Sequence, residues 1–106
     1  MAGHGVTAAQ EWFVRECAGA PAALRERAGR VLGTQAATGD VARDLADAST
    51  RALAAALAHP ADRSAALDLL AADALVTLAL KARGMLAPGE LASFAASLRI
   101  SGAAVR

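Results

Sequence analysis

Three observations predict an all-α fold, a compact four- to five-helix bundle built around a long antiparallel helical hairpin. The 106 residues include 32 Ala and 14 Leu but one Ile and no Tyr, so strong helix formers dominate and strand formers are scarce. Among the nine Gly and three Pro, Gly19, Pro21, Gly33, Gly39, Pro60, Gly84 and Pro88 divide the chain into helix-length segments. The segment Asp62 to Arg83 is apolar in every direction. At about 100° per residue, Leu67, Leu69, Leu70, Leu75, Val76, Leu78 and Leu80 leave no face for water. Such a helix is expected to be surrounded by other helices or by a partner chain.

The first helix begins at Thr7, whose spacing to Gln10 matches a capping box, and ends near Ala18 with Gly19 and Pro21 beyond. Ala8, Ala9, Trp12, Phe13 and Cys17 share one of its faces. The second runs from Pro21, which suits a first turn, to Leu32, with Leu24, Ala28, Val31 and Leu32 inward and Gly33 as its stop. Residues 33–40 form a flexible connection, and Asp40 is a suitable N-cap for a third helix that reaches about Ala58. Val41, Leu45, Ala48, Ala52 and Ala56 line its inner face, widened by Leu53 and Leu57, while Arg43, Asp47 and Arg51 face water. His59-Pro60-Ala61 breaks the chain, because proline disfavours helix at the residue before it. Asp62 can cap the fourth helix and Gly84 is expected to end it, which makes residues 40–58 and 62–83 the hairpin. Pro88 opens a fifth helix, with Leu91, Phe94, Ala95 and Leu98 inward, that fades around Ile100 to Gly102. A single domain is therefore expected over residues 7–101, with a flexible tail at 1–6 and another at 102–106.

Composition excludes several function classes. The net charge of +1 is spread evenly, from +1 over residues 1–33 to −1 over 34–58, 0 over 59–84 and +1 over 85–106. No segment carries the basic excess that phosphate backbones attract, so nucleic acid is a disfavoured partner. The weak version of that reading uses Arg15, Arg25, Arg27 and Arg30, among which Glu11, Glu16 and Glu26 are interleaved. No apolar run approaches the roughly 18 residues of a membrane span. The first residues have neither a basic nor an apolar region of the kind a signal peptide needs, and one Cys cannot make an internal disulfide. A cytoplasmic setting is expected.

Two short stretches resemble known families. Asp40-Val41-Ala42-Arg43 followed by Ala48-Ser49-Thr50 is similar to the opening of a lactose-repressor-type helix-turn-helix, which implies DNA binding. Residues 41–58, however, hold neither Gly nor Pro to make the turn before a recognition helix. Ala72-Asp73-Ala74-Leu75 resembles a stretch inside isoprenyl diphosphate synthases, but the aspartate-rich metal motifs of that family are absent from this sequence.

Candidate reactive residues are few. Asp73, Thr77 and Lys81 form an i, i+4, i+8 stripe on the fourth helix. Buried, Asp73 would be a desolvated carboxylate poised to exchange a proton; at the surface, the stripe is a thin solvated edge. Cys17 follows Phe13 on an apolar face with no cation at i±4, which suits an inert thiol. His59 lies where it can complement the C-terminal end of the third helix. With Met1 removed, Ala2-Gly3-His4 would offer an amine, two amides and an imidazole to Cu(II) or Ni(II), an adventitious site on a tail. No other metal spacing, catalytic constellation or cofactor motif is present in the sequence.

These residues support two expectations. The first is a non-catalytic interaction protein, homo-oligomeric (most simply a dimer) or a subunit of a larger assembly. Its apolar surface would include Leu69, Val76, Leu80 and Phe94. The alternative is a small-molecule binder or small enzyme with an inter-helical pocket around Asp73, Thr77 and Lys81.

Overall fold

A computed structural model describes the backbone of residues 6–105 and the side chains of residues 6–98. Five α-helices follow one another: α1 (Ala8–Glu16), α2 (Ala22–Gly33), α3 (Val41–Ala58), α4 (Arg63–Leu86) and α5 (Leu91–Val105), with a 3-10 turn at Pro88–Glu90 before the last. No strand occurs among the described residues, and the helical bundle expected from the sequence is the one observed.

Local chemistry sets most helix ends. The Thr7 hydroxyl accepts the Gln10 amide at 3.2 Å, and the Gln10 side-chain oxygen accepts the Thr7 amide at 2.8 Å, closing the capping box. Gly39, at φ +90°, lets the chain turn into Asp40, whose carboxylate accepts the Arg43 amide at 3.1 Å and caps α3. Asp62 holds the N-cap position of α4 without a side-chain bond, its backbone carbonyl accepting Ala65 N–H at 3.0 Å instead. Gly84 does not stop α4. A glycine inside a helix costs about 1 kcal/mol but breaks no hydrogen bond, so the helix runs on to Leu86. It ends where Ala87, ahead of Pro88, is forced to φ −150°, ψ 67°. α5 passes through Gly102 to Val105 for the same reason, beyond the fading expected around Ile100 to Gly102.

The α3–α4 hairpin is the centre of the molecule. Ala48 and Ala52 on α3 and Ala71, Ala79 and Ala82 on α4 are fully enclosed, and Leu45 and Leu75 are the largest side chains shut away from water. Small residues let the two axes approach, and Ser49 Oγ donates to the Ala72 carbonyl across the seam at 2.7 Å. α2 lies against the α4 side of this pair. There the Arg27 guanidinium pairs with Asp68, a carboxylate almost wholly withdrawn from water. α1 adds Ala9 and Phe13 to the core, and α5 adds Phe94.

One expectation needs correction. α4 is not wrapped on every side: Leu69 is 49% and Leu70 56% exposed, and Asp73, Thr77 and Lys81 lie open with them. α1 and α2 are 9 and 12 residues long, too short to roof a 24-residue rod that α3 and α5 already flank.

Enclosure of Leu75 predicts that Leu75→Ala lowers unfolding free energy by about 2–5 kcal/mol, whereas Leu70→Ala changes it by about 0.5 kcal/mol or less. Urea titrations of the two variants separate the covered side of α4 from the open one, and equal losses would contradict this packing.

Candidate functional site at the open edge of the fourth helix

Helical periodicity gathers the exposed side chains of α4 into one row. Leu69, Asp73, Thr77, Lys81 and Met85, each four residues apart, are all exposed, and they form a single i±4 ridge. The stripe read from the sequence, Asp73, Thr77 and Lys81, is the middle of this ridge, so it is a solvated edge rather than a buried relay.

A groove runs along each side of the ridge. One, of about 290 Å³, lies among α3, α4 and α5 and is apolar in character, with Ala46, Leu53, Leu69, Ala72, Val76 and Leu98 in its walls and Ser49, Thr50 and Asp73 as its polar groups. The other, of about 310 Å³, lies between α4 and the end of α1 and joins Asp73, Thr77 and Lys81 to Glu16 and Cys17. Asp73 lines both, so it stands on the crest between them. Among the described residues Asp73 has no hydrogen-bond or ion-pair partner.

Charge in the second groove is arranged by one ion pair. Lys81 Nζ lies 2.5 Å from Glu16 Oε1, and that hydrogen bond, opposed by partial desolvation, holds the Glu16 carboxyl below its ordinary value. Cys17 beside it is half-buried, and burial, with the Glu16 charge adding to it, pushes the thiol upward. A thiol so placed keeps its proton and is a poor nucleophile.

The other candidates are placed as follows. Val76 is half-buried in the first groove, and Leu80 is partly covered against the core. Phe94 is only 5% exposed, pressed beneath the Arg83 guanidinium at 4.5 Å, and offers no surface in this protomer. The four arginines of the nucleic-acid reading are engaged within the chain: Arg15 with Trp12 and Glu16, Arg25 with the Ala20 carbonyl, Arg27 with Asp68, and Arg30 with Glu26. His59 is the exposed C-cap residue of α3. His4 lies outside the described residues. Among the described residues no three His, Cys, Asp or Glu side chains gather in a group that could hold a metal ion, and no helix is long and apolar enough to cross a membrane.

Sequence reasoning missed three polar groups. Besides Asp68, Asp44 is buried and accepts the Thr38 amide and hydroxyl, pinning the 33–40 connection, while Gln35 donates to its backbone carbonyl at 2.7 Å. Arg83 bridges Asp40 at 3.0 Å and Glu90 at 3.2 Å over the Phe94 ring, tying the start of α3 to the start of α5. Burial presses the Asp40 carboxyl upward, but the Arg43 amide and Arg83 outweigh it and leave Asp40 below its ordinary value. The proximity of Thr38 and Gln35 to Asp44, and of Glu90 seven residues beyond Arg83, was local, whereas Asp68 lies 41 residues from Arg27 and Asp40 lies 43 from Arg83.

The raised Cys17 thiol gives a direct check. Alkylation by iodoacetamide should show a pH–rate midpoint above that of a free thiol, and Glu16→Gln should lower it only part of the way, since burial is the larger cause. A midpoint at or below the free-thiol value would mean that the groove is more open and more cationic than described.

Against known protein families, curated proteins and solved structures the chain finds no match.

Proposed function

We propose that the chain is a non-catalytic interaction protein that works through the open edge of α4, with a second copy or another subunit of an assembly as its partner. The observation that carries this reading is the pair Leu69 and Leu70, about half exposed beside an apolar groove walled by Leu53, Val76 and Leu98. Exposed apolar surface next to a concave apolar wall is a common mark of a docking site. A cytoplasmic setting belongs to the same reading, because an unpaired Cys17 suits a reducing compartment.

Light scattering across a dilution series should give a mass that falls toward the 10.6 kDa of one chain as concentration drops. Leu69→Glu should move that transition to higher concentration without loss of helicity. A strictly monomeric wild type at high concentration, with no foreign partner captured by Leu69-dependent binding, would remove this reading.

A second reading is supported by the groove that joins Asp73, Thr77 and Lys81. A carboxylate and an ammonium about 12 Å apart along one helix, with a hydroxyl between, suit an extended zwitterion such as a free peptide of about three to four residues. Titration of tripeptides and tetrapeptides with free termini into labelled protein should then shift the Thr77 amide resonance, and Asp73→Asn should abolish the shift with helicity unchanged. Absence of any shift at millimolar concentration would sink it.

A further inference from the structure

Reversed end for end, the open ridge of α4 becomes its own complement in charge. Thr77 is its centre; Asp73 and Lys81 lie four residues to either side, and Leu69 and Met85 eight residues to either side. The order is apolar, acidic, neutral, basic, apolar, and all five side chains are exposed. From this we infer that the partner of this edge is a second copy of the same chain, packed antiparallel about a two-fold axis that passes beside Thr77. The inference rests on the interaction reading above and names its occupant and register.

A two-fold axis requires that if residue i touches residue j, then j touches i. Placed at Thr77, it sets Asp73 against the partner's Lys81, Lys81 against the partner's Asp73, and Leu69 against the partner's Met85. Both ion pairs and both apolar pairs form at once. Antiparallel helices whose i±4 ridges interlock cross at about 50°, and the groove on either side of the ridge gives the partner's row a place to lie.

Two features of the single chain favour this register. Asp73 is unpartnered among the described residues, and Lys81 is two helical turns away, too far to reach it within one copy. Among the described residues, the two grooves include no cation besides Lys81 and no acid besides Glu16 and Asp73. Glu16 already holds Lys81 on one side, so the incoming carboxylate would complete a carboxylate–ammonium–carboxylate row. Met85, at 63% exposed, likewise has an apolar counterpart in this register, the partner's Leu69.

Charge reversal tests the pairing. Asp73→Lys alone, or Lys81→Asp alone, sets like charges across the axis at two symmetric points and should weaken self-association at least about tenfold by sedimentation. Mixing the two single variants should restore a 1:1 heterodimer, because every facing pair is then of opposite sign, and the double variant Asp73→Lys/Lys81→Asp should again self-associate. Circular dichroism melts confirm that each variant is folded, and rescue by mixing cannot come from unfolded chains. Wild-type chains that never associate would overturn self-pairing altogether and, with no foreign partner captured by Leu69-dependent binding, the interaction reading as well. Wild-type dimers that tolerate both single reversals, or single variants that fail to recombine, would leave self-association standing and overturn this register.

Discussion

The close approach of α3 to α4 is the constraint on which the rest of the molecule depends. Ala48 and Ala52 meet a row of enclosed alanines on α4, and the Ser49 hydroxyl fixes the sliding register by donating to the Ala72 carbonyl. Alanine costs a helix no side-chain entropy and permits short interaxial distances, but each one buries little apolar area. The hairpin is therefore tight without being strongly stabilised by area alone. Leu45 and Leu75 supply the large enclosed side chains, and α1, α2 and α5 must bring Phe13, Leu32 and Phe94 to complete the core.

Polar links decide how those three helices attach. Arg27 reaches from α2 to the withdrawn Asp68 carboxylate, and Arg83 holds the starts of α3 and α5 together over the Phe94 ring. Pairs of this kind recover their own desolvation and add little beyond it, but a misplaced helix would leave a charge without its partner in a dry setting. Their main contribution is to position: α2 and α5 have one favourable seat each. Asp44 does the same for the connection between α2 and α3, where its carboxylate accepts the Thr38 amide.

Covering α4 on three faces leaves its fourth to water, and that face is mixed rather than polar. Leucines at one end, a methionine at the other and opposite charges between are a costly way to make a purely solvated edge, and an economical way to make a specific contact. In the proposed contact, the apolar ends would supply the driving force, while the charges would fix which partner and which direction are accepted. Cys17, close by, is kept protonated by its burial and by Glu16, so its thiol is a poor nucleophile.

Most of the secondary structure was legible in the sequence because it is written in local terms. The Thr7–Gln10 capping box, the Asp40 cap, the Pro60 break and the inner row Val41, Leu45, Ala48, Ala52 and Ala56 all act within a few residues. Gly84 was misleading, since a lone glycine weakens a helix without ending it, and the stop waits for Pro88. The ridge residues Asp73, Thr77 and Lys81 were legible as one stripe, because their spacing alone places them together. Whether that stripe faced a core or water depended on how far two short helices could extend over a long one. The same holds for Asp68 and Arg83, whose partners are brought near only by the folded chain. Periodicity fixes which residues share a side of a helix, and only the packing of the other helices determines which side is left uncovered.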